Sequence, residues 1–165
     1  MSFDFRPSDN TILAATFGRG MFTGDFWVCG SSTTTWNGSS WNNGSPNKRV
    51  AAIFNGNYSS TGDIETCSVT VNGTAQVTIN SGHTLKVGEG VTVAGGALLS
   101  IENNAALVQY SSSAVNSGNI RVKRNSTAMV RQDYTAWSSP VSGQQLQSFS
   151  PNTVATRFYE YLYTG

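Results

Sequence analysis

Charged residues are scarce in this sequence. Asp, Glu, Lys and Arg together make up 12% of 165 residues, about half of the usual share. The net charge of +1 provides no basic surface of the kind that binds nucleic acid, so no nucleic-acid partner is expected. Apolar runs are short as well. None approaches the roughly 18 residues that a membrane-spanning helix needs, and no membrane insertion is expected.

Metal ligands and thiols are also few. The single histidine, His83, and the two cysteines, Cys29 and Cys67, stand at unrelated spacings, whereas a structural zinc site takes about four such ligands. We therefore predict no metal and no cofactor. The two cysteines leave two possibilities open: a disulfide if the protein is extracellular, or two buried free thiols.

The sequence begins without an export signal and contains few good helix formers. Residues 1–4 have no cationic start, and no apolar stretch follows them, so any export signal is expected outside this chain. Ala, Leu, Glu and Lys are sparse, while Thr, Val and Ser are common. Hydrophobic residues at 38% and four Trp argue against disorder. Together these features predict an all-β chain.

A repeat organises the middle of the chain. Six apolar pairs have the form apolar-x-apolar, which is typical of short strands; their first members are Val69, Val77, Leu85, Val91, Leu99 and Ile120. Ile79 aligns with Ile101, and Leu85 with Leu107, in both cases 22 residues later. A period near 22 fits one coil of a parallel β-helix. Asn-Gly turns also suit hairpins, so a β-sandwich is the alternative.

These patterns divide the chain into four predicted regions. They are an N-terminal strand segment (1–27), a turn-rich linker and cap (28–48), a short β-solenoid (49–125), and the start of a β-rich, aromatic module (126–165). The last region is expected to be truncated and to continue into flanking domains of a longer parent protein.

Two resemblances accompany the pattern. The sequence RPSDNTILAATFGRGMF gives residues 5–22 a resemblance to the last blade of a sialidase-like or sortilin-like β-propeller, and a simple N-terminal hairpin is the alternative. From about Thr34 onward the chain resembles secreted, gliding or adhesin-like surface proteins of Bacteroidetes, which are exported by the type IX route. The stretches that carry this second resemblance are TTTWNGSSWNNGSPN, GNIRVKR and YTAWSSPVSGQQ, together with the coils between them.

The second resemblance implies a right-handed parallel β-helix and an extracellular or cell-surface location. That family shares no single activity, so it supplies no catalytic residues. Its signal peptide and C-terminal sorting domain have no counterpart here, which is why the chain is interpreted as an internal piece.

Few groups in the sequence could perform catalysis. Asp63 and Glu65 are two residues apart, which puts them near 7 Å on a strand and suits glycoside hydrolysis, but solvated corner residues are the preferred interpretation. His83 aligns with Ala105 one coil later, which favours a structural role over a general base. The cations Arg121, Lys123 and Arg124 could bind an anionic glycan or protect a terminal strand. No enzyme is predicted.

The candidate binding site is aromatic. Trp36 and Trp41, each followed by Asn, could stack on sugar rings, with Tyr58 extending the platform. Alternatively, the two Trp close the open N-terminal end of the solenoid, as Trp137 would anchor the downstream module. The predicted function is a structural or adhesive module of a secreted bacterial protein that contacts a polysaccharide or cell-surface ligand. The alternative is a carbohydrate-binding accessory segment of a secreted glycosidase.

Overall fold

A computed structural model describes residues 2–6, 11–16, 20–25, 27–130, 133–136 and 143–160. The chain divides into two compact units, Met1–Asn125 and Ser126–Gly165. Trp137, which is predicted to anchor the downstream module, lies outside the described residues.

The first unit is built from short strands. They are β1 (Ser2–Arg6), β2 (Thr11–Thr16), β3 (Gly20–Asp25), β4 (Thr33–Trp36), β5 (Ala51–Phe54), β6 (Tyr58–Ser59), β7 (Ile64–Thr66), β8 (Val69–Val71), β9 (Gln76–Ile79), β10 (Thr84–Val87), β11 (Val91–Val93), β12 (Leu98–Ile101), β13 (Ala106–Gln109) and β14 (Ile120–Val122).

The first three strands form a separate antiparallel sheet with β2 in the centre. The predicted N-terminal strand segment is therefore a three-stranded meander. The side chains of residues 11–15 are only half-buried.

All later strands belong to a parallel β-solenoid of about four turns. Its three sheets have the strand orders β11-β8-β5-β4, β14-β12-β9-β6 and β13-β10-β7. Each complete coil contributes one strand to each sheet, and every pairing within these sheets is parallel. The predicted solenoid is confirmed, and the sandwich alternative is wrong.

The predicted register is also confirmed. Ile79 pairs with Ile101, and Leu85 pairs with Leu107. Because side chains alternate between the two faces of a strand, both apolar members of an apolar-x-apolar pair point into the coil. The fully buried side chains accordingly come from every complete coil, with Phe54, Leu85 and Leu99 among the largest.

The solenoid begins earlier than the sequence predicts. Residues 28–48 were assigned to a linker and cap, yet β4 lies in this range and pairs along its length with β5. The pattern is hidden because the inward residue of β4 is polar. Thr34 is 0% exposed, and its hydroxyl donates a 2.7 Å hydrogen bond to the carbonyl oxygen of Gly44.

The described part of the second unit contains no strand, contrary to the β-rich module predicted there. It holds one turn of helix, α1 (Leu146–Phe149), and one 3₁₀ turn, Ala155–Arg157, neither of which buries a residue. Tyr134 and Tyr159 meet edge to face, with ring centroids 5.6 Å apart, but both are exposed. Aromatic residues alone do not make a strand here, because the described segment offers no core to cover.

Candidate functional site

Four aromatic rings meet at the N-terminal end of the solenoid. Trp36 ends β4 and is the register partner of Phe54 in β5, while Tyr58 begins β6. Since Thr34 points inward, alternation places Trp36 on the same side. Trp36, Trp41 and Tyr58 are partly buried and pack against the hydrophobic core. We call the four aromatic residues Trp36, Trp41, Phe54 and Tyr58 the aromatic plug.

The rings of the aromatic plug contact one another through edges and tilted faces. Trp36 and Tyr58 have centroids 5.0 Å apart at 81°, and Trp36 and Trp41 lie 5.5 Å apart at 61°. Trp41 lies 5.2 Å from Phe54, and Phe54 lies 5.1 Å from Tyr58. Such edge-to-face arrangements are favourable for quadrupolar rings. Burial among them raises the pKa of the Tyr58 phenol.

Backbone and amide contacts hold Trp41 over the end of the coil. Residues 36 and 41 form an isolated antiparallel bridge, and the Asn42 side chain accepts a 2.8 Å bond from the Thr35 amide. Trp36 Nε1 donates a 2.8 Å bond to the Asn57 carbonyl oxygen. The indole nitrogen of Trp36, which a sugar hydroxyl would need, is therefore engaged within the protein.

The three residues predicted as a sugar platform are brought together, but in the arrangement of an end cap. Without them, Phe54 and the first core layer would face solvent, because no further coil precedes β4 in the described part of the solenoid. Terminal coils require such covers. Trp36, Trp41 and Tyr58 are each only partly buried, and carbohydrate binding by these rings stays a prediction.

The carboxylates Asp63 and Glu65 are both exposed, and each is bound to the next coil. Asp63 Oδ1 accepts a 2.8 Å bond from the Thr84 amide, and Glu65 forms a 2.9 Å ion pair with Lys86, its register partner. This contact raises the pKa of Lys86. Arg121, one of the cations considered for an anionic glycan, lies on β14, in a different sheet from Glu65.

His83 is half-buried against Ser60. Ser60 Oγ lies 2.7 Å from His83 Nδ1 and accepts a 2.8 Å bond from the Asn80 amide. A serine beside a histidine could suggest a nucleophile and its base, but Ser60 is only 2% exposed. The serine hydroxyl instead joins two successive coils, a contact that the sequence analysis missed.

The basic residues near β14 bind the preceding coil. Lys123 Nζ lies 2.7 Å and 3.0 Å from the two carboxylate oxygens of Glu102. The Arg124 guanidinium donates to the carbonyl oxygens of Ala105 at 3.0 Å and of Glu102 at 3.2 Å. Arg121 is exposed on the outer face of the terminal strand.

Cys29 and Cys67 form a disulfide that closes a separation of 38 residues. The sequence left open a disulfide or two free thiols, and the structure shows the disulfide. Within the described ranges, no group of three or more His, Cys, Asp or Glu residues could hold a metal ion. No helix in those ranges is long and apolar enough to cross a membrane.

The sequence analysis also missed three residues next to this disulfide. Trp27 stacks on Tyr110 with ring centroids 4.5 Å apart, directly above Gly88. The available signal was the repeat itself, because Gly88 and Tyr110 follow Cys67 at close to one and two periods.

One family model, described as a domain of unknown function (DUF8693), matches residues 27–165. No curated protein and no solved structure matches the chain. The matched region begins at Trp27, so it contains the whole solenoid and leaves the β1–β3 sheet outside.

Proposed function

The chain belongs to the DUF8693 domain family, and because the function of that family is unknown, we propose one from the geometry of the site. We propose that the chain is a non-catalytic structural module of a secreted or surface-attached bacterial protein. Its solenoid holds neighbouring parts of the parent protein at a fixed distance and presents them at the surface.

The observation that carries this proposal is the use of the polar side chains. Four pairs of groups that could perform chemistry in the solenoid instead join adjacent coils: Asp63 to Thr84, Glu65 to Lys86, Ser60 to His83, and Glu102 to Lys123. A catalytic site keeps such groups directed at a substrate. Here they reinforce the stacking of coils, which is what a rigid spacer needs.

One further feature supports an extracellular setting. Disulfides persist in oxidising compartments and are rare in reducing ones, and Cys29 and Cys67 form a disulfide. Thiol titration under denaturing conditions, on protein recovered from the organism that makes it, tests the setting. We expect no free thiol, whereas two free thiols would place the chain in a reducing compartment.

The structural role is tested against the carbohydrate-binding alternative with Trp41→Leu. Leucine keeps apolar volume over Phe54 but removes the aromatic face that a sugar ring stacks on. We expect the wild-type chain to show no saturable binding to a panel of neutral and acidic polysaccharides or to intact cells. Trp41→Leu should lower the melting temperature and leave the binding curves unchanged.

Thr70→Ala is the matched control for effects of a substitution that lies outside the aromatic plug. Thr70 is an outward-facing residue of β8. Saturable binding by the wild type that Trp41→Leu abolishes, while the far-ultraviolet spectrum stays native, would replace the structural role with the carbohydrate-binding one.

A further inference from the structure

One column of residues runs along the solenoid where the third sheet ends. The registers of β7, β10 and β13 place Cys67, Gly88 and Tyr110 next to one another, one from each of three successive coils. The amide of Gly88 donates a 3.0 Å bond to Thr66 and the amide of Tyr110 a 2.9 Å bond to Val87, which continues the ladder beyond the strands.

Residues 27–30, which we call the axial strap, run along this column and contact successive coils. Gly30 donates its amide to the Arg49 carbonyl oxygen at 2.9 Å, at the start of the first complete coil. Cys29 is bonded to Cys67 with a Cα–Cα distance of 5.1 Å. Trp27 then covers Gly88 and stacks on Tyr110 at an interplanar angle of 22°.

The dimensions allow one short segment to span all these coils. Parallel strands lie about 4.8 Å apart, so three intervals between coils measure roughly 14 Å. An extended chain advances about 3.3 Å per residue, so the strap backbone covers about 10 Å, and the indole of Trp27 covers the remainder.

Trp27 of the strap packs directly against Gly88, and we call this position the seat of the strap. A Cβ atom at this position would overlap the indole of Trp27, although the backbone conformation of Gly88 does not itself require glycine. Trp27 Nε1 is fully buried and has no hydrogen-bond partner among the described residues. Because a buried unpaired donor is unfavourable, Trp27 is held by its stacking, its close packing and the neighbouring disulfide.

We propose that the axial strap is a redox-sensitive latch, closed by the Cys29–Cys67 disulfide and released by thiol reductants. A thiolate attacks Sγ of Cys29, which is half-buried, whereas Cys67 is only 5% exposed. The S–S bond breaks, and Cys67 leaves as a thiolate that takes up a proton. A second thiol displaces Cys29 from the mixed disulfide, so two thiols become one disulfide and both cysteines become thiols.

Release of the latch has a local consequence. The strap connects the β1–β3 sheet to the solenoid, since β3 ends at Asp25 and the strap begins at Trp27. Without the covalent bond, Trp27 keeps only its stacking on Tyr110 and its seat on Gly88, while the unpaired indole donor favours exposure to water. Reduction thus frees Trp27 and Cys29 of the strap from the coils but leaves the coils stacked.

The test is exchange of the Trp27 indole hydrogen with solvent, measured by nuclear magnetic resonance on the full chain before and after dithiothreitol. We expect at least a tenfold faster exchange after reduction, with the amides of Leu99 and Ile101 still protected. The melting temperature should fall by about 10 °C, as expected for a disulfide that closes a loop of this length.

Gly88→Ala tests the seat with the disulfide intact, and Gly95→Ala is its matched control. Gly95 lies in a turn with nothing near the position of an added Cβ. We expect Gly88→Ala to lower the melting temperature by about 3–6 °C and Gly95→Ala to leave it unchanged. In the Trp27→Ala background, Gly88→Ala should have no further effect.

Three results would overturn the latch. They are an indole exchange rate that reduction does not change, loss of amide protection in β12 together with the indole, and an equal effect of Gly88→Ala with and without Trp27.

Discussion

The two ends of the solenoid are closed by different chemistry. At the N-terminal end, the rings of Trp36, Trp41 and Tyr58 pack over Phe54 and the first core layer. At the C-terminal end, Leu107, Ile120 and Val122 are only partly buried. There the outermost contacts are polar, from Lys123 and Arg124 to the preceding coil.

The difference shows two ways to end a repeat. An apolar plug removes ring area from water and is not weakened by charge screening, whereas exposed ion pairs stabilise weakly and are screened. We therefore expect the N-terminal end to contribute more to stability than the C-terminal end. The following changes test that asymmetry, from the largest effect to the smallest.

Trp41→Ala should have the largest effect on stability. It removes the ring that covers Phe54 and Tyr58, so we expect a loss of about 3 kcal/mol in the free energy of unfolding, at the low end for Trp because the ring is only partly buried. Urea denaturation followed by circular dichroism measures it. A loss below about 1 kcal/mol would mean that the plug does not stabilise this end.

Ile120→Ala is the corresponding change at the C-terminal end. Ile120 pairs with Leu99 and is partly buried, so we expect a smaller loss of about 1–2 kcal/mol, below the range for fully buried isoleucine. The same denaturation experiment applies. If this variant is destabilised more than Trp41→Ala, the proposed asymmetry between the ends is reversed.

Glu102→Gln tests the polar contacts at the C-terminal end. It removes the ion pair with Lys123, whose side chain is 48% exposed, so the expected loss is at most about 1 kcal/mol. The loss should shrink further when salt is raised from about 0.05 M to about 1 M, because screening weakens the wild-type pair. The effect of Trp41→Ala should not change with salt, and a parallel decrease would contradict the distinction.

The smallest predicted effect is an alkaline one at Tyr58. Its pKa is raised above 10.0 by burial, so the folded state holds the proton more tightly than the unfolded state. This contribution is fully present below pH 10 and is lost as pH rises through the folded-state value. Phenolate absorbance of wild type minus Tyr58→Phe should titrate above pH 10. A difference that titrates at about pH 10, the ordinary value for tyrosine, would mean that burial does not raise the pKa of this phenol.

The register between coils was predictable because the inward apolar positions repeat from one coil to the next. Leu85, Leu99 and Ile101 have inward apolar positions at a constant spacing, and stacking requires them to meet. The first coil was partly hidden by inward threonines. Thr34 and Thr66 are each 0% exposed and satisfy their hydroxyls with backbone carbonyls, so apolar alternation does not reveal them.

The site was predictable only in part. Trp36 and Trp41 stood out as rare aromatics in a polar segment, and their role as a cover follows from the open end of a solenoid. The axial strap was not visible, because Trp27 contacts Gly88 and Tyr110 only after the coils have stacked. Such contacts depend on three-dimensional register rather than on local pattern.

The central claim is that the solenoid is one rigid body whose polar side chains join its coils. Native-state hydrogen exchange of the amides in β8, β9, β10 and β12 tests it most directly. We predict that these amides exchange through a single opening, with free energies equal to that of global unfolding. Separate, lower opening energies for individual coils would contradict the claim, because a spacer whose coils open independently cannot hold its neighbours at a fixed distance.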